Sequence, residues 1–279
     1  MPIVQQLSEK RKRQCTKLVE LSRAVIRDVF DKFTPEELGI IWTGGKDSSL
    51  TLWCVRQVCM EQDRKIPRSL FIGKGDDLEE IEEFVRTYSK RWNVLLDICR
   101  NEDVLKAANY TVGATIDIKD LNEHNRRELK RIGLNESEFQ FETESYTGIH
   151  LMETVVLNQW IKRNGIKALF QGRRWDEHPA RFDDEYLEHV EGSNSVPEHT
   201  LINPLLHFTE RDLWSTYAAF DIPFCSLYES GYRSLGTKSS TSRVSGMPAW
   251  QQDLDNTEEQ GARHDRTMAM ERLRKLGYM

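Results

Sequence analysis

The fold is decided by one stretch of the chain, Leu38-Gly39-Ile40-Ile41-Trp42-Thr43-Gly44-Gly45-Lys46-Asp47-Ser48-Ser49. Its apolar half, residues 38–42, is short and predicts a buried strand, while the helical spacing of apolar residues over 47–60 predicts a helix directly behind it. The glycine pair between them predicts a tight turn. The stretch is therefore predicted to be a strand, a turn and a helix, with polar side chains at the turn.

The same alternation continues along the chain. Short apolar runs at 69–72, 94–98 and 167–171 are typical of strands, and residues 77–92 and 149–163 have the spacing of helices. Alternation of this kind predicts βαβ units. The expected fold class is therefore α/β, with an open, mostly parallel sheet and helices on both faces.

Other segments complete this outline. The apolar spacing over residues 4–33 predicts a long amphipathic helix, and residues 109–147 are polar, weakly periodic and unassigned. The stretch 176–200 is dense in Asp, Glu and His and predicts an exposed loop. The rest of the chain is predicted to be loop-rich and helical, with a capped helix at 209–219, a loop rich in Ser, Thr, Gly and Arg at 229–257 and a charged helix at 258–276.

Composition excludes several classes of protein. The 279 residues carry 39 Lys+Arg against 45 Asp+Glu, a net charge of −6, with 38% hydrophobic and 9% aromatic residues. Disorder is not expected at this aromatic content, and no apolar run approaches the roughly 18 residues that span a bilayer. The mild acidity argues against nucleic-acid binding through an overall basic surface. We expect no membrane partner, no nucleic-acid partner and, since no secretory signal is visible, a cytoplasmic location.

The cysteines are consistent with the expected cytoplasmic location. Five scattered cysteines, Cys15, Cys54, Cys59, Cys99 and Cys225, form no C-x-x-C pair and fit neither a disulfide framework nor a zinc ribbon. Reduced thiols are expected. The apolar setting of Cys225 predicts a packed core cysteine.

The turn has the chemistry of a phosphate-binding loop. Glycines let a backbone approach phosphate oxygens, and the N–H groups at a helix start point toward an anion. A Walker A loop is excluded because Ile40 stands where its first glycine is needed and Asp47 follows the lysine. The residues predicted to bind the nucleotide here are Thr43, Gly44, Gly45, Lys46, Asp47, Ser48 and Ser49. The alternative is a simple strand-to-helix turn.

A second signal is Gln171-Gly172-Arg173-Arg174-Trp175-Asp176-Glu177, with Arg181 shortly after. Because it follows a predicted parallel strand, it should lie at the same carboxyl edge of the sheet as the first turn, where open α/β sheets bind ligands. Adjacent arginines suit multidentate capture of an oxyanion. The alternative is a pair of exposed arginines neutralised by Asp176 and Glu177.

The first turn resembles the S-G-G-K-D-S loop of the PP-loop ATP pyrophosphatase superfamily, with Thr43 in place of the usual first serine. The resemblance implies a parallel α/β sheet with adenine-nucleotide recognition at the strand ends. It also implies a loop that holds the β and γ phosphates of ATP. An acceptor oxygen then attacks the α phosphorus, which gives an adenylylated product and pyrophosphate.

Two further strings extend the resemblance. Residues 203–214 and 222–236 alone suggest a capped helix and a basic loop, but they are similar to the region after the arginine motif in phosphoadenylylsulfate reductases, small sulfate adenylyltransferase subunits and flavin adenylyltransferases. The resemblance implies that Arg233 and Lys238 meet the substrate anion or the α phosphate. Residues 258–279 look like the tail of the small subunit of the heterodimeric bacterial sulfate adenylyltransferase.

The chain also departs from the family pattern. Ile72-Gly73-Lys74-Gly75-Asp76-Asp77 stands where members often carry Asp-Thr-Gly, which leaves the acceptor open. Asp76 is predicted to contact Mg²⁺ through water, or else to form part of an acidic pair at a helix start. No iron–sulfur cluster is expected, because Thr237-Lys238-Ser239-Ser240-Thr241 carries no thiol where the iron–sulfur reductases have a cysteine pair.

Together these residues and the resemblance predict an enzyme that uses ATP and Mg²⁺ and transfers AMP to an anionic acceptor. Sulfate is the acceptor that we expect first. The residues assigned to catalysis are Lys46, Arg173, Arg174 and Arg233, with Gly172 at the nucleotide and Arg181 and Lys238 at the substrate anion. The resemblance implies a GTPase large subunit as partner, and a homo-oligomer is the other possibility. Three alternatives stay open: an FMN adenylyltransferase, a reductase of adenylylated sulfate, and a nucleotide-binding subunit without turnover.

The domain division follows from these motifs. Residues 1–172 are predicted to form the nucleotide-binding α/β domain with its N-terminal helix. Residues 173–279 are predicted to form a substrate-binding region and C-terminal extension packed on the same domain.

Overall fold

A computed structural model describes residue 3 and residues 7–193, 195–255, 272 and 273. The helix predicted at 258–276 lies outside these ranges except for 272 and 273. The helices are α1 (Glu9–Phe30), α2 (Lys46–Glu61), α3 (Glu79–Arg91), α4 (Glu102–Ala107), α5 (Glu123–Arg131), α6 (Tyr146–Ile149), α7 (Val155–Asn164) and α8 (Glu210–Phe220). The strands are β1 (Leu38–Ile41), β2 (Arg68–Ile72), β3 (Leu96–Cys99), β4 (Thr115–Asp117), β5 (Glu138–Gln140), β6 (Ala168–Phe170), β7 (Leu187–Val190) and β8 (His199–Ile202).

Six of the strands form one sheet in the order β3-β2-β1-β6-β8-β7. All neighbours pair in parallel except β7, which runs antiparallel to β8 at the edge. Ile40 in the central strand stands opposite Ser69 on one side and Phe170 on the other. The mostly parallel α/β sheet predicted from the sequence is confirmed.

Helices cover both faces of this sheet. On one face, Ile40 and Phe170 lie in the same hydrophobic core as residues of α1, α2, α3 and α8. On the other, Leu70 and Leu169 pack with Trp160 of α7. Because side chains alternate along a strand, each buried strand supplies apolar groups to both layers. No helix among the described residues is long and apolar enough to cross a bilayer.

Local signals fix the helix ends. The Ser8 hydroxyl accepts the N–H of Arg11 at the start of α1, and Thr209 forms a reciprocal capping box with Asp212 at the start of α8. Gly165 ends α7 in the left-handed region, at φ +64°. Residues 149–163 were predicted to be one helix, but a π-helical segment, His150–Thr154, precedes α7.

The structure corrects the predicted loop at 176–200. It contains β7 and the first residues of β8, and both strands join the sheet beyond β6. The strand was missed because β7 reads Leu-Glu-His-Val, a polar pattern typical of an edge strand and not of a buried one. The division at residue 172 stays a prediction, and strands from both sides of that position share one sheet.

The unassigned segment 109–147 has a core of its own. Strands β4 and β5 form an antiparallel pair, with Ile116 opposite Phe139. Ile116, Leu129 and Phe141 are buried with Leu151 in a second hydrophobic cluster. Its polar sequence reflects short elements that each bury only one side.

Candidate active site

The loop at 43–48 follows the carboxyl end of β1 and includes the first residues of α2, which begins at Lys46. Gly44 has φ +75°, and a Cβ placed there would lie 2.7 Å from Cγ2 of Ile81. A side chain is therefore excluded twice, by the backbone conformation and by α3. Gly45 is the N-cap of α2 and offers no side-chain acceptor to the first turn. The N–H of Lys46 is donated to the Tyr228 hydroxyl, so an anion site at this helix start would use the next N–H groups, those of Asp47 and Ser48.

Two hydroxyl groups close this loop from inside. Ser48 Oγ lies 3.2 Å from the Thr43 nitrogen, whose N–H donates to it, and 3.0 Å from Thr43 Oγ1. Ser49 points elsewhere: its fully buried hydroxyl accepts the indole N–H of Trp42 at 3.0 Å. Thr43 and Ser48 thus belong to the loop surface, whereas Ser49 attaches α2 to β1.

Lys46 extends beneath the loop. Its side chain is 1% exposed, and its ammonium donates to the Arg233 carbonyl at 3.1 Å. The same nitrogen lies 3.6 Å from Asp47 Oδ2 and 3.8 Å from Glu210 Oε1. Its backbone is held as well, since its N–H donates to the Tyr228 hydroxyl at 2.8 Å. Lys46 therefore joins the loop to the segments at 210 and 233.

Arg174 is the second cation against α2. It is 1% exposed and pairs with Asp47 through Nη1 and with Asp176 through Nε, the latter at 2.7 Å. The other oxygen of Asp176 accepts the N–H of Glu210 at 2.7 Å. Asp176 thus connects the arginine motif to the start of α8.

Arg233 completes the arrangement. It is 2% exposed, and Nε and Nη2 both donate to Glu210 Oε2, at 3.0 and 2.7 Å. The network joins three buried cations, Lys46, Arg174 and Arg233, to the carboxylates of Asp47, Asp176, Glu177 and Glu210. Because each cation has a carboxylate within 4 Å, the network is held together internally, and Lys46 and Asp47 connect it to the start of α2.

Arg173 diverges from Arg174. Its guanidinium is 3.5 Å from Asp184 and 3.7 Å from Glu188 of β7. Arg181 lies 3.3 Å from the same Asp184 carboxylate and 3.6 Å from Glu177. The structure thus places Arg173 and Arg181 together around Asp184, in a group beside the main network.

Asp76 and Lys238 meet in a third place. The Lys238 N–H donates to the Asp76 carbonyl at 2.7 Å, and the Ser239 N–H donates to Asp76 Oδ2 at 2.8 Å. The Lys238 ammonium is half exposed and 3.9 Å from Glu79. Burial raises the pKa of the neighbouring Asp77. The described residues contain no cluster of three or more His, Cys, Asp or Glu suited to a metal ion.

Gly172 allows the arginine motif to lie directly against the loop at 43–48. A Cβ at this position would lie 2.5 Å from the Asp47 carbonyl carbon and 2.6 Å from the Ser48 nitrogen. Only a glycine lets the end of β6 pass the first turn of α2 at this distance. Gly172 therefore sets the spacing between the loop and the arginine motif.

Sequence reasoning missed several members of this site. The sequence alone predicts a capped scaffold helix around Glu210, and it gives Asp176 a role only in the alternative of exposed, neutralised arginines. Tyr217, whose hydroxyl donates to the Lys46 carbonyl at 2.5 Å, and Tyr228 carried no assignment. The sequence does contain a signal for Glu210, which directly follows the cap Thr209. A carboxylate at the first position of a buried helix is expected to pair with a cation. Contacts between these residues and phosphate stay predictions.

The thiols lie outside this network. Cys225 is fully buried, and burial raises its pKa to about 11. Its predicted role as a packed core cysteine agrees with its place in the main hydrophobic cluster. Cys99, at the end of β3, is partly exposed, while the other four cysteines are buried.

Comparison with known proteins finds relatives by sequence. Part of the chain is 32% identical, over 85 residues, to the adenosine 5'-phosphosulfate reductase of Pseudomonas aeruginosa, and the match covers 30% of this chain and 32% of that protein. The adenosine 5'-phosphosulfate reductase 1 of Bacillus subtilis is 28% identical over 102 residues, 37% of this chain and 41% of the relative. These matches span about a third to two-fifths of the relatives' own length.

Solved structures share the fold at low identity. The FMN adenylyltransferase of Candida glabrata, in complex with FMN and an ATP analogue, aligns with a TM-score of 0.56 at 18% identity and covers 85% of this chain and 66% of that one. The phosphoadenylyl-sulfate reductase of Candida auris, in a phosphate complex, has a TM-score of 0.54 at 19% identity and covers 85% and 99%. These likenesses show that the chain shares the α/β fold of the two enzymes.

The family assignment rests on a longer match. The family model described as the phosphoadenosine phosphosulfate reductase domain matches residues 37–243. That range contains the phosphate loop, the arginine motif, Glu210 and Arg233. The chain therefore belongs to the phosphoadenosine phosphosulfate reductase domain family, within the PP-loop superfamily.

Proposed function

We propose that this chain binds ATP at Thr43–Ser48 and transfers AMP to a small oxyanion acceptor, sulfate being the first choice. One observation carries the proposal: four motifs far apart in sequence meet in one buried ion network beneath the loop, at Lys46, Arg174, Glu210 and Arg233. A strand-to-helix turn would need no such support. The family's nucleotide-binding fold and its PP-loop support the same reading.

The reaction needs no protein nucleophile. An acceptor oxygen attacks the α phosphorus of ATP, the bond from that phosphorus to the bridging oxygen breaks, and pyrophosphate leaves with the electron pair. With sulfate as acceptor, the products are adenylyl sulfate and pyrophosphate. Catalysis is then a matter of position and charge, which rigid buried groups provide without reorganising.

The chain's own groups divide this work. The N–H groups at the start of α2 take the leaving phosphates, and Gly172 keeps room for them beside the arginine motif. Asp47 and Asp176 hold the guanidinium of Arg174 in one orientation. Glu210 does the same for Arg233. We assign Arg173 and Arg181, which meet at Asp184, and Lys238 to the acceptor side.

Magnesium belongs to the proposal through Asp76. One oxygen of that carboxylate accepts the Ser239 N–H, and Mg²⁺ commonly binds through one or two carboxylates together with substrate phosphates. The donor set therefore fits an ion that arrives with ATP better than a resident metal. When bound, the ion neutralises phosphate charge.

A second candidate is reduction of adenylyl sulfate, favoured by the names of the relatives in Pseudomonas aeruginosa and Bacillus subtilis. That reaction needs a thiolate that attacks sulfur. Cys225 is fully buried with a raised pKa, and Cys99 lies at the far edge strand of the sheet. The thiol geometry therefore favours adenylyl transfer. An FMN adenylyltransferase is the third candidate, and FMN is therefore included among the acceptors to be tested.

The deciding experiment measures pyrophosphate release from ATP and Mg²⁺ with sulfate, selenate, molybdate or FMN, and sulfite release from adenylyl sulfate with reduced thioredoxin. We expect pyrophosphate with an oxyanion and no sulfite. Because sulfate adenylylation is strongly uphill, a parallel assay includes pyrophosphatase and counts the orthophosphate formed from each pyrophosphate, and both assays are repeated with a GTPase subunit as proposed partner. Sulfite release that is lost in Cys225→Ser would replace the proposal by the reductase. ATP binding without turnover under any condition would replace it by a binding subunit.

A further inference from the structure

A polar cleft of about 410 Å³ lies between α5, α7 and the loop that precedes β8, to which the lining residues Ser193, Ser195 and Pro197 belong. That loop enters the amino end of β8, whereas the phosphate loop leaves the carboxyl end of β1. Strands β1 and β8 both run parallel to β6. The cleft therefore lies toward the opposite edge of the sheet from the proposed ATP site.

Two helix faces line this cleft. Helix α5 contributes residues 124, 127, 128 and 131, and α7 contributes 155, 158, 159 and 162. Each set has the spacing of a single helical face. The permanent cations among them are Arg127, Arg131 and Lys162, and Ser193 and Ser195 stand at the rim.

The charge of the cleft is positive, in a chain whose net charge is −6. Its one carboxylate, Glu128, is 3% exposed and already engaged by Arg131 and by His150 Nε2 at 3.2 Å. Arg127 donates to the Glu123 carbonyl at 3.4 Å and lies 3.9 Å from the exposed Glu123 carboxylate, and exposed pairs of this kind are weak. Among the residues that the structure describes, the lining of the cleft therefore carries three permanent cations and a single carboxylate.

Asn158 adds a polar amide to the cations of the cleft. It is 8% exposed and lines the cleft from α7. A ligand with acceptor oxygens could accept hydrogen bonds from the N–H groups of this amide.

The rim is preformed. Val196 is 1% exposed and packs in the same cluster as Ile116 and Leu129. The Ser193 N–H donates to the Val196 carbonyl at 2.8 Å, and the Val196 N–H returns a bond to Ser193 Oγ at 3.2 Å. These bonds hold Ser193 at the mouth of the cleft, which Ser195 also lines.

We propose that this cleft binds a small phosphorylated ligand, no larger than a mononucleotide. A phosphate group offers several acceptor oxygens and more than one negative charge, which matches two guanidiniums, an ammonium, an amide and two hydroxyls. The volume admits one such molecule and not a folded partner. Free diphosphate and the phosphate of a nucleotide share this chemistry.

The experiment titrates the whole chain with pyrophosphate and, separately, with AMP, while NMR follows the backbone amides of Ser193 and Ser195. We expect both amides to shift with at least one probe. The double variant Arg127→Ala/Lys162→Ala should weaken this binding by about tenfold or more, because charge-assisted bonds are lost. The matched control Arg126→Ala/Lys130→Ala removes the same charge from exposed positions of α5 outside the cleft and should change affinity less than twofold.

The two titrations, with AMP and with pyrophosphate, distinguish a nucleotide ligand from free diphosphate. Tighter binding of AMP assigns the cleft to a nucleotide, and tighter binding of pyrophosphate assigns it to free diphosphate. Asn158→Ala, which leaves all charges in place, should also weaken the bound state. The proposal is overturned if neither probe shifts the two serines, or if the control pair weakens binding as much as the cleft pair.

Discussion

Arg233 and Glu210 form a buried two-point ion pair, with Nε and Nη2 of the guanidinium 3.0 and 2.7 Å from one carboxylate oxygen. The other oxygen of Glu210 lies 3.8 Å from the Lys46 ammonium. A single carboxylate therefore connects α8, the segment at 233 and the phosphate loop. We regard Glu210 as a positioning residue for both cations.

Replacing this carboxylate should be costly. Glu210→Gln keeps the shape but leaves Arg233 and Lys46 buried without its charge, and breaking a buried pair costs about 3–5 kcal/mol in unfolding free energy. Chemical denaturation measures this loss. The matched control is Asp255→Asn, which breaks an exposed pair with Arg211 and should cost less than about 1 kcal/mol. Equal losses in the two variants would contradict the positioning role.

Gly172→Ala should act on the loop itself. The new Cβ overlaps the backbone at Asp47 and Ser48, so α2 or the end of β6 must move. Overpacking of this kind costs about 1–3 kcal/mol, and a small displacement of the site should reduce turnover by about 100-fold. Gly246→Ala is the control, because a Cβ there meets only an arginine tip at 4.0 Å. Unchanged turnover in Gly172→Ala would show that the loop does not bind the reacting phosphates.

Arg174→Lys tests the planar fork. Lysine keeps the charge but cannot pair with Asp47 and Asp176 from two sides at once. Turnover should fall by about 10- to 150-fold, more than ATP affinity does, if Arg174 acts on the α phosphate. Steady-state kinetics and calorimetry provide the two quantities. Equal losses would assign Arg174 to uniform nucleotide binding.

Thiol labelling should follow burial. Cys99 is partly exposed and 3.6 Å from an Arg163 nitrogen, and it should react with iodoacetamide first although burial also raises its pKa. Cys225, with a pKa of about 11, should stay unmodified in the folded protein at pH 8. Mass spectrometry of the digest identifies the labelled residue. Rapid labelling of Cys225 would reopen the reductase hypothesis.

His207 should make stability depend on pH. Its Nε2 lies 2.9 Å from the Leu18 carbonyl, which only accepts, so Nε2 carries the proton and Nδ1 accepts the Tyr186 hydroxyl. Burial lowers the pKa of His207 below its ordinary 6.5. A depressed histidine pKa means that the unfolded chain binds the proton more readily, so unfolding free energy should fall as pH drops below 6.5.

Denaturant titrations from pH 8 down to pH 5 measure this slope. His207→Gln should flatten it, and His189→Gln, at an exposed position, should not. The buried His199, whose pKa is lowered by burial as well, accounts for part of the remaining slope. An identical pH dependence in His207→Gln and the unchanged protein would exclude this linkage.

The sequence by itself determined the fold class and the location of the loop. Apolar runs and helical spacing are local properties of the sequence, and a glycine pair between a strand and a helix predicts a tight turn. The parallel order then places the loop and the arginine motif at one edge, as the pairing of β1 with β6 confirms. The sequence did not predict the edge strand β7, because a strand at the edge of a sheet buries little surface and needs no apolar run.

Only the tertiary structure decided which charges meet. Adjacent Arg173 and Arg174 look alike in sequence, yet one pairs with Asp184 and the other with Asp47, since successive side chains in extended backbone point to opposite sides. Glu210 became a partner of Arg233 because α8 and the segment at 233 fold against α2. Ion pairs between residues far apart in sequence depend on distances of a few ångströms, and no local pattern encodes those distances.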